Sequence, residues 1–323
     1  MDKLKIDVWY GKKQRFGHNG TPSPYINILG RVSSPDKVHA LGYQLNKGEF
    51  KVLPLGPTAF RLLGDGDFNV ELPCDALEEG DNILRLLATD RAENEAREEV
   101  QIEYTRGKTW PLPCEVDWGS GTSINDMAQV IDGKWELTKE GLHCVEIGYD
   151  RLVGMGEVTW QDYQVTVPMT IRRFSDKPTA FCWPSNGNGP GILLRWQGHA
   201  DWGDIKPNRG YLPHGAIGFY IWRKNPDKHR WILYSGSDGS TLTEDPEHGQ
   251  IELNKRYLVK MSVQSQKNKP GIYRLKCWKE VEAEPAGWLL EAENGPKELK
   301  QGSLVLVSHH AEVTFGKVIV EPV

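Results

Sequence analysis

The residue types best suited to chemistry gather in one short stretch, Arg195-Trp196-Gln197-Gly198-His199. An extended backbone alternates its side chains between two faces. This spacing therefore places Arg195, Gln197 and His199 on one face, with Leu194 and Trp196 on the other. Arginine and glutamine can fork onto a carboxylate or onto sugar hydroxyls, and a neutral histidine can accept a proton. The competing reading is an outer strand whose polar groups meet only water. A second candidate is Tyr149-Asp150-Arg151, between Gly148 and Leu152. There Tyr149 could serve as acid or base in a β-elimination while Arg151 holds a uronate carboxylate. Equally, Tyr149 could anchor a turn and Asp150 could bridge Arg151.

Two further groups suit a ligand rather than a reaction. In the run from Gly210 to Trp222, Tyr220 and Trp222 share a strand face opposite Phe219 and Ile221. Aromatic rings stack on the C–H faces of sugars, so this pair suits a glycan platform. The same alternation also fits a core face made by Tyr220 and Trp222, and periodicity does not choose between them. His309 and His310 follow the strand 304–307. Adjacent strand residues point to opposite faces, so the two do not readily share a metal, and one of them is placed to face a groove. Lys260, Arg274 and Lys276 would add positive charge, and favour acidic glycans, if they lie on the same sheet.

Other chemistries are not supported. There is no E-x-D-x-x-E pair of carboxylates, no G-x-S-x-G, no H-E-x-x-H and no phosphate-binding glycine loop in context. Glu244, Asp245 and Glu247 form an acidic loop that Pro246 and Gly249 mark as a turn. The net charge of −5 argues against a nucleic-acid binder that relies on phosphate neutralisation. No apolar run reaches the ~18 residues of a membrane span, and the opening residues, MDKLKIDVWYG, lack the apolar stretch of a signal peptide. The five cysteines (Cys74, Cys114, Cys144, Cys182 and Cys277) include no C-x-x-C pair. They are read as thiols, with room for one disulfide in the second half of the chain.

The elements that must position these residues are strands. The 323 residues suit two domains, and the 34 glycines and 20 prolines fit many short strands joined by turns. Of 12 tryptophans only Trp9 precedes residue 105, and the run from Thr105 to Trp118 supplies Gly107, Pro111 and Pro113 as a linker. Residues 1–105 and 106–323 are therefore expected to fold separately. In the first segment Asp67–Leu72 and Glu99–Tyr104 alternate with a period of two. In the second, Val165, Val167, Met169 and Ile171 share a face, as do Tyr257, Val259, Met261 and Val263, and Tyr273, Leu275 and Cys277. Each such strand has one buried and one wet face, the pattern of antiparallel sheets packed as a sandwich.

Two resemblances sharpen this all-β expectation. The stretches GDFNVELP (66–73) and LEEGDNILRLLATDRAENEAREEVQIEY (77–104) resemble bacterial immunoglobulin-like modules, which implies an immunoglobulin-like sandwich over 1–105, acting as spacer or adaptor. AQVIDGKWEL (128–137), GPGILLRWQGH (189–199), GIYRLKCWKEVEAEPAGWLL (271–290) and GSLVLVSHHAEVTFGKVIVEPV (302–323) resemble the concanavalin A-like, laminin-G-like jelly roll of lectins and glycan-degrading enzymes. That resemblance implies a glycan groove on 106–323 and an extracellular or cell-surface setting. It also implies a structural calcium site to which Glu312 would contribute. Arg195 with Gln197-x-His199 is similar to the arginine and Gln-x-His elements of jelly-roll alginate lyases, although those elements lie on separate strands in that family. The leading expectation is a protein that binds a polysaccharide. The alternatives are a polysaccharide lyase or glycoside hydrolase acting on a uronate glycan, and a structural or cell-surface interaction protein.

Overall fold

A computed structural model describes residues 3–58, 60–175, 188–200, 210, 212–223, 225–247 and 249–323. In the first segment the strands are β1 (Lys5–Val8), β2 (Lys13–Phe16), β3 (Tyr25–Ser33), β4 (Val38–Leu45), β5 (Phe50–Leu53), β6 (Asp67–Pro73), β7 (Gly80–Asp90) and β8 (Glu95–Tyr104). They form a three-stranded sheet, β1-β3-β6, and a five-stranded sheet, β2-β8-β7-β4-β5. β2 runs parallel to β8 and every other pairing in the two sheets is antiparallel. Between the sheets lies one apolar cluster that includes Ile28, Phe68, Val70, Leu84, Leu86, Val100 and Ile102. β8 shows why: Val100, Ile102 and Tyr104 are buried while Glu99, Gln101 and Glu103 are exposed.

The second segment holds β9 (Cys114–Val116), β10 (Gln129–Asp132), β11 (Trp135–Thr138), β12 (Gly141–Cys144), β13 (Arg151–Met155), β14 (Tyr163–Phe174), β15 (Gly189–Trp196) and β16 (Ala216–Ile221). It continues with β17 (Arg230–Ser235), β18 (Thr241–Glu244), β19 (Arg256–Gln266), β20 (Lys269–Lys279), β21 (Leu290–Glu293), β22 (Ser303–His309), β23 (Ala311–Phe315) and β24 (Val318–Pro322). These build a seven-stranded sheet in the order β10-β13-β22-β15-β16-β17-β18. Facing it is a nine-stranded sheet along β11-β12-β23-β14-β19-β20-β21, with β24 joined to β14 and β9 to β24. The helices among the described residues are three 3₁₀ turns of three residues each. None is long and apolar enough to cross a membrane.

Alternation holds on the nine-stranded sheet: Tyr163, Val165, Val167, Val259, Met261, Val263, Tyr273 and Leu275 face the seven-stranded sheet in one core. Each fully buried side chain of this kind contributes about 1.5–3 kcal/mol. The seven-stranded sheet departs from the expectation of one wet face. Ile192, Leu194, Leu304 and Leu306 enter the inter-sheet core. Their neighbours Leu193, Val305, Val307, Ile217, Phe219 and Ile232 form a second buried cluster on the opposite face. A sheet buried on both faces reads as continuous apolar runs such as Gly191-Ile192-Leu193-Leu194, which carry no alternation to orient them.

The two segments interlock. Trp9 and Leu29 of the first belong to the core of the second. Gln129 Nε2 donates to the Tyr25 carbonyl at 2.7 Å, Asn125 Nδ2 to Gln14 Oε1 at 2.8 Å, and Ser303 Oγ to the Pro22 carbonyl at 2.6 Å. The deepest joint is ionic. Arg61 donates from Nε to Asp132 at 2.7 Å and from Nη1 to Glu71 at 2.9 Å, with its side chain wholly withdrawn from solvent.

Candidate functional site

The expected face of Arg195, Gln197 and His199 does not form, because the strand is not regular there. Arg195 adopts φ +58°, and the β15–β22 register slips between Leu193 and Trp196. Trp196 therefore lands in the same cluster as Leu193, and Arg195 turns into the protein. Gly302 permits this: a Cβ there would lie 2.2 Å from the Arg195 carbonyl carbon and 2.4 Å from the Trp196 nitrogen. The Arg195 guanidinium is fully buried. It donates to the Gln161 carbonyl (3.0 Å), Glu298 (3.1 Å), Asp162 (3.2 Å) and Ser265 Oγ (2.7 Å). Gln197 donates to the Val158 and Gln301 carbonyls, at 2.7 and 2.8 Å. Both side chains are committed to holding loops.

His199 goes elsewhere, into the joint between the segments. Its Nδ1 bonds the Gly210 carbonyl, and its Nε2 lies 3.7 Å from Asp132 and 3.9 Å from Glu71. Burial and the nearby Arg61 push its pKa down to about 3, so the ring is neutral and is not poised as a base near neutrality. Burial pushes Asp132 up to about 6 against the pull of Arg61 and Arg151. Asp201, Trp202, Tyr211 and Cys182 lie outside the described residues. The four described cysteines are free thiols.

Tyr220 is a core residue, fully buried, with its hydroxyl accepting the Ile251 N–H at 3.0 Å. Trp222 packs beside that core, stacked on Phe174 with centroids 4.9 Å apart and planes 9° apart. β16 and the residue that follows it therefore turn this aromatic pair inward. Lys260, Arg274 and Lys276 do share a sheet, but it is the nine-stranded one, opposite the sheet that holds Arg195. Each is ion-paired there: Lys260 and Lys276 share Glu284, at 2.8 and 2.7 Å, and Arg274 faces Glu291 at 2.5 Å. Glu312 does not fit a calcium site. Its oxygens face Arg173 Nε at 2.7 Å and His143 Nε2 at 3.5 Å, nitrogen donors where a hard cation needs oxygens. No group of three or more metal-binding side chains occurs among the described residues.

The structure does bring four of the expected residues together. Arg151 opens β13 and His309 closes β22, and these strands pair with Arg151 opposite Ser308. Tyr149, Asp150, Arg151, His309 and His310 therefore meet at one end of the seven-stranded sheet. Asp150 does not bridge Arg151; its Oδ1 lies 2.6 Å from His309 Nδ1, with both groups buried. The Tyr149 ring meets His309 edge-on at 5.1 Å and His310 at 6.2 Å. Tyr149 and His310 are the part-exposed members. Burial, His309 and Arg151 together push His310 down to about 3. Arg151 is spent structurally, donating from Nε to the Tyr149 carbonyl at 3.0 Å and from Nη2 to the Phe60 carbonyl at 3.2 Å, with Glu146 at 3.5 Å. Gly133, at φ +84°, makes room for it, since a Cβ there would sit 2.3 Å from Arg151 Cδ.

The first segment reaches this cluster. The Phe60 ring meets Tyr149 edge-on at 5.0 Å, and Arg61 continues into the ion pair with Asp132. Gly210 lies against the other side: a Cβ there would stand 3.6 Å from both Asp150 Oδ2 and the Tyr149 hydroxyl. Sequence reasoning missed Phe60, Arg61, Asp132 and the role of Asp150. Only Asp150, lodged between two candidates, carried a local signal.

Fold and site define an all-β protein of stacked sheets with a tyrosine–histidine–aspartate cluster at the end of one sheet. No protein-family model matches the chain, and no curated protein matches it. Several solved structures are similar. A Bacillus subtilis protein of unknown function with a galectin-like fold is 12% identical with a TM-score of 0.44, covering 65% of this chain and 94% of that one. The exoplasmic/lumenal domain of VIP36, bound to Ca2+ and Man3GlcNAc, is 8% identical with a TM-score of 0.43, covering 65% and 88%. A mutant of the alginate lyase Aly36B with alginate trisaccharide is 9% identical with a TM-score of 0.36, covering 66% and 100%.

Proposed function

We propose that the chain binds a glycan at the Tyr149–His309–His310 cluster. The observation that carries this is a part-exposed phenol set edge-on against two imidazoles, one of them anchored by a buried carboxylate. Such a group offers a ring to a sugar's C–H face and several hydrogen-bonding atoms to its hydroxyls. The reading takes residues 106–323 as a concanavalin A-like jelly roll and residues 1–105 as an immunoglobulin-like sandwich. The second assignment is supported by a first strand divided between the sheets, β1 antiparallel to β3 and β2 parallel to β8. Titration calorimetry against neutral and uronate oligosaccharides tests the binding. Tyr149→Ala is expected to weaken it by about 1 kcal/mol, the scale of one aromatic contact. Wild-type protein that binds neither class, or a Tyr149→Ala variant with unchanged affinity, would sink the proposal.

A second reading, a lyase acting on a uronate glycan, is favoured by the hydrogen-bonded Asp150–His309 pair beside the Tyr149 phenol, an arrangement able to move a proton. Release of unsaturated sugar ends, followed by ultraviolet absorbance, separates it from binding alone.

A further inference from the structure

We propose that Asp150 is a positioning residue that fixes His309 as the Nδ1–H tautomer, so that Nε2 is the ring's acceptor atom, edge-on to Tyr149. This deepens the glycan-site reading and rests on it for its purpose, though not for its test. A carboxylate oxygen can only accept, so the 2.6 Å contact from Asp150 Oδ1 to His309 Nδ1 requires the proton on Nδ1. An imidazole whose Nδ1 donates to a carboxylate is held in one orientation and presents the basic lone pair at Nε2.

The backbone indicates that this contact is not incidental. Asp150 sits at φ +43° and His310 at φ +50°, left-handed conformations that L-residues seldom adopt. Two such residues flank a single hydrogen bond, and strain of this kind persists only where the surroundings over-determine it. The surroundings here are specific. Arg151 ties down the Tyr149 carbonyl, Phe60 braces the Tyr149 ring, Phe219 meets His309 edge-on at 6.1 Å, and the His310 N–H donates to the Gly148 carbonyl at 2.8 Å. A glycine at 150 would remove the strain. An aspartate there keeps the strain and gains the carboxylate, which is the feature the tautomer requires.

Long-range 1H–15N spectra of the uniformly labelled full chain read the tautomer directly, with His309 assigned by loss of its signals in His309→Gln. The expected wild-type pattern near neutral pH is a protonated-type Nδ1 and an unprotonated Nε2. Asp150→Gly deletes the carboxylate at a position glycine prefers, so the fold should survive. Its His309 should then populate both tautomers and titrate at least about one pH unit lower, having lost a neighbouring negative charge. An Nε2–H wild-type ring, or an Asp150→Gly ring with unchanged tautomer and titration, overturns the inference whether or not a glycan binds. A wild-type Nδ1–H ring that Asp150→Gly releases, in a protein that binds no glycan, upholds the inference and overturns the glycan reading instead.

Discussion

Arg61 and Arg195 are both wholly buried, and they serve different ends. Arg195 closes the edge of one sandwich: its partners Gln161, Asp162, Ser265 and Glu298 all lie in the second segment. Arg61 reaches from the first segment to Asp132 of the second, and each cluster leaves a buried atom without a hydrogen bond, Glu298 Oε2 beside Arg195 and His199 Nε2 beside Arg61. The two differ in titration: at the joint burial pushes Asp132 up to about 6 and His199 down to about 3, so protonation can change the balance there. Arg195 thus holds loops within the second segment, whereas the joint between the segments carries the adjustable electrostatics, within reach of the Tyr149 cluster.

Substitutions at the two arginines test that contrast. Arg195→Met should cost about 3 kcal/mol in urea unfolding, because it takes the buried cation from Glu298 and leaves only the exposed Lys300, at 3.0 Å, to offset that carboxylate. Arg61→Met should cost about 3 kcal/mol near pH 7.5 and clearly less near pH 5.5, since Asp132, already pushed up to about 6, can then carry a proton. Equal deficits at both pH values for Arg61→Met would erase the distinction between the two arginines.

Next in size are the pH slopes of the Asp132–His199 pair. An unfolded chain protonates His199 below about 6.5 and the folded one only below about 3, so this group makes stability rise with pH across that window. Asp132 acts in the opposite sense, holding its proton up to about 6 when folded and to about 3.8 when unfolded. Between about pH 4 and 6 the two slopes, each near 1.4 kcal/mol per pH unit, nearly cancel. His199→Gln should therefore lose stability as pH rises through this range, and Asp132→Asn should gain it. Slopes of the same sign in both variants would show that the joint does not titrate this way.

Trp222→Ala should cost about 2 kcal/mol of stability through its lost packing on Phe174, with glycan affinity unchanged. A binding loss without a stability loss would restore Trp222 as a ligand platform. Gln197→Ala, which removes two hydrogen bonds to carbonyls at the protein's margin, should cost about 1 kcal/mol in thermal unfolding.

The all-β class and three strands of the nine-stranded sheet were legible in the sequence, because Val165–Ile171, Tyr257–Val263 and Tyr273–Cys277 alternate and alternation is a local consequence of the pleat. The sequence also picked out Tyr149, Arg151, His309 and His310, whose residue types suit proton handling wherever they lie. Which side chains meet was settled by packing between distant elements. The apolar run before Arg195 gives no face to the strand, and its left-handed backbone reverses the spacing argument. The partnership of Asp150 with His309 spans 159 positions, and that of Arg61 with Asp132 spans 71. Such contacts follow from sheet order and from segment docking, which are non-local choices made by the whole core. No period, spacing or motif within either partner's own neighbourhood encodes them.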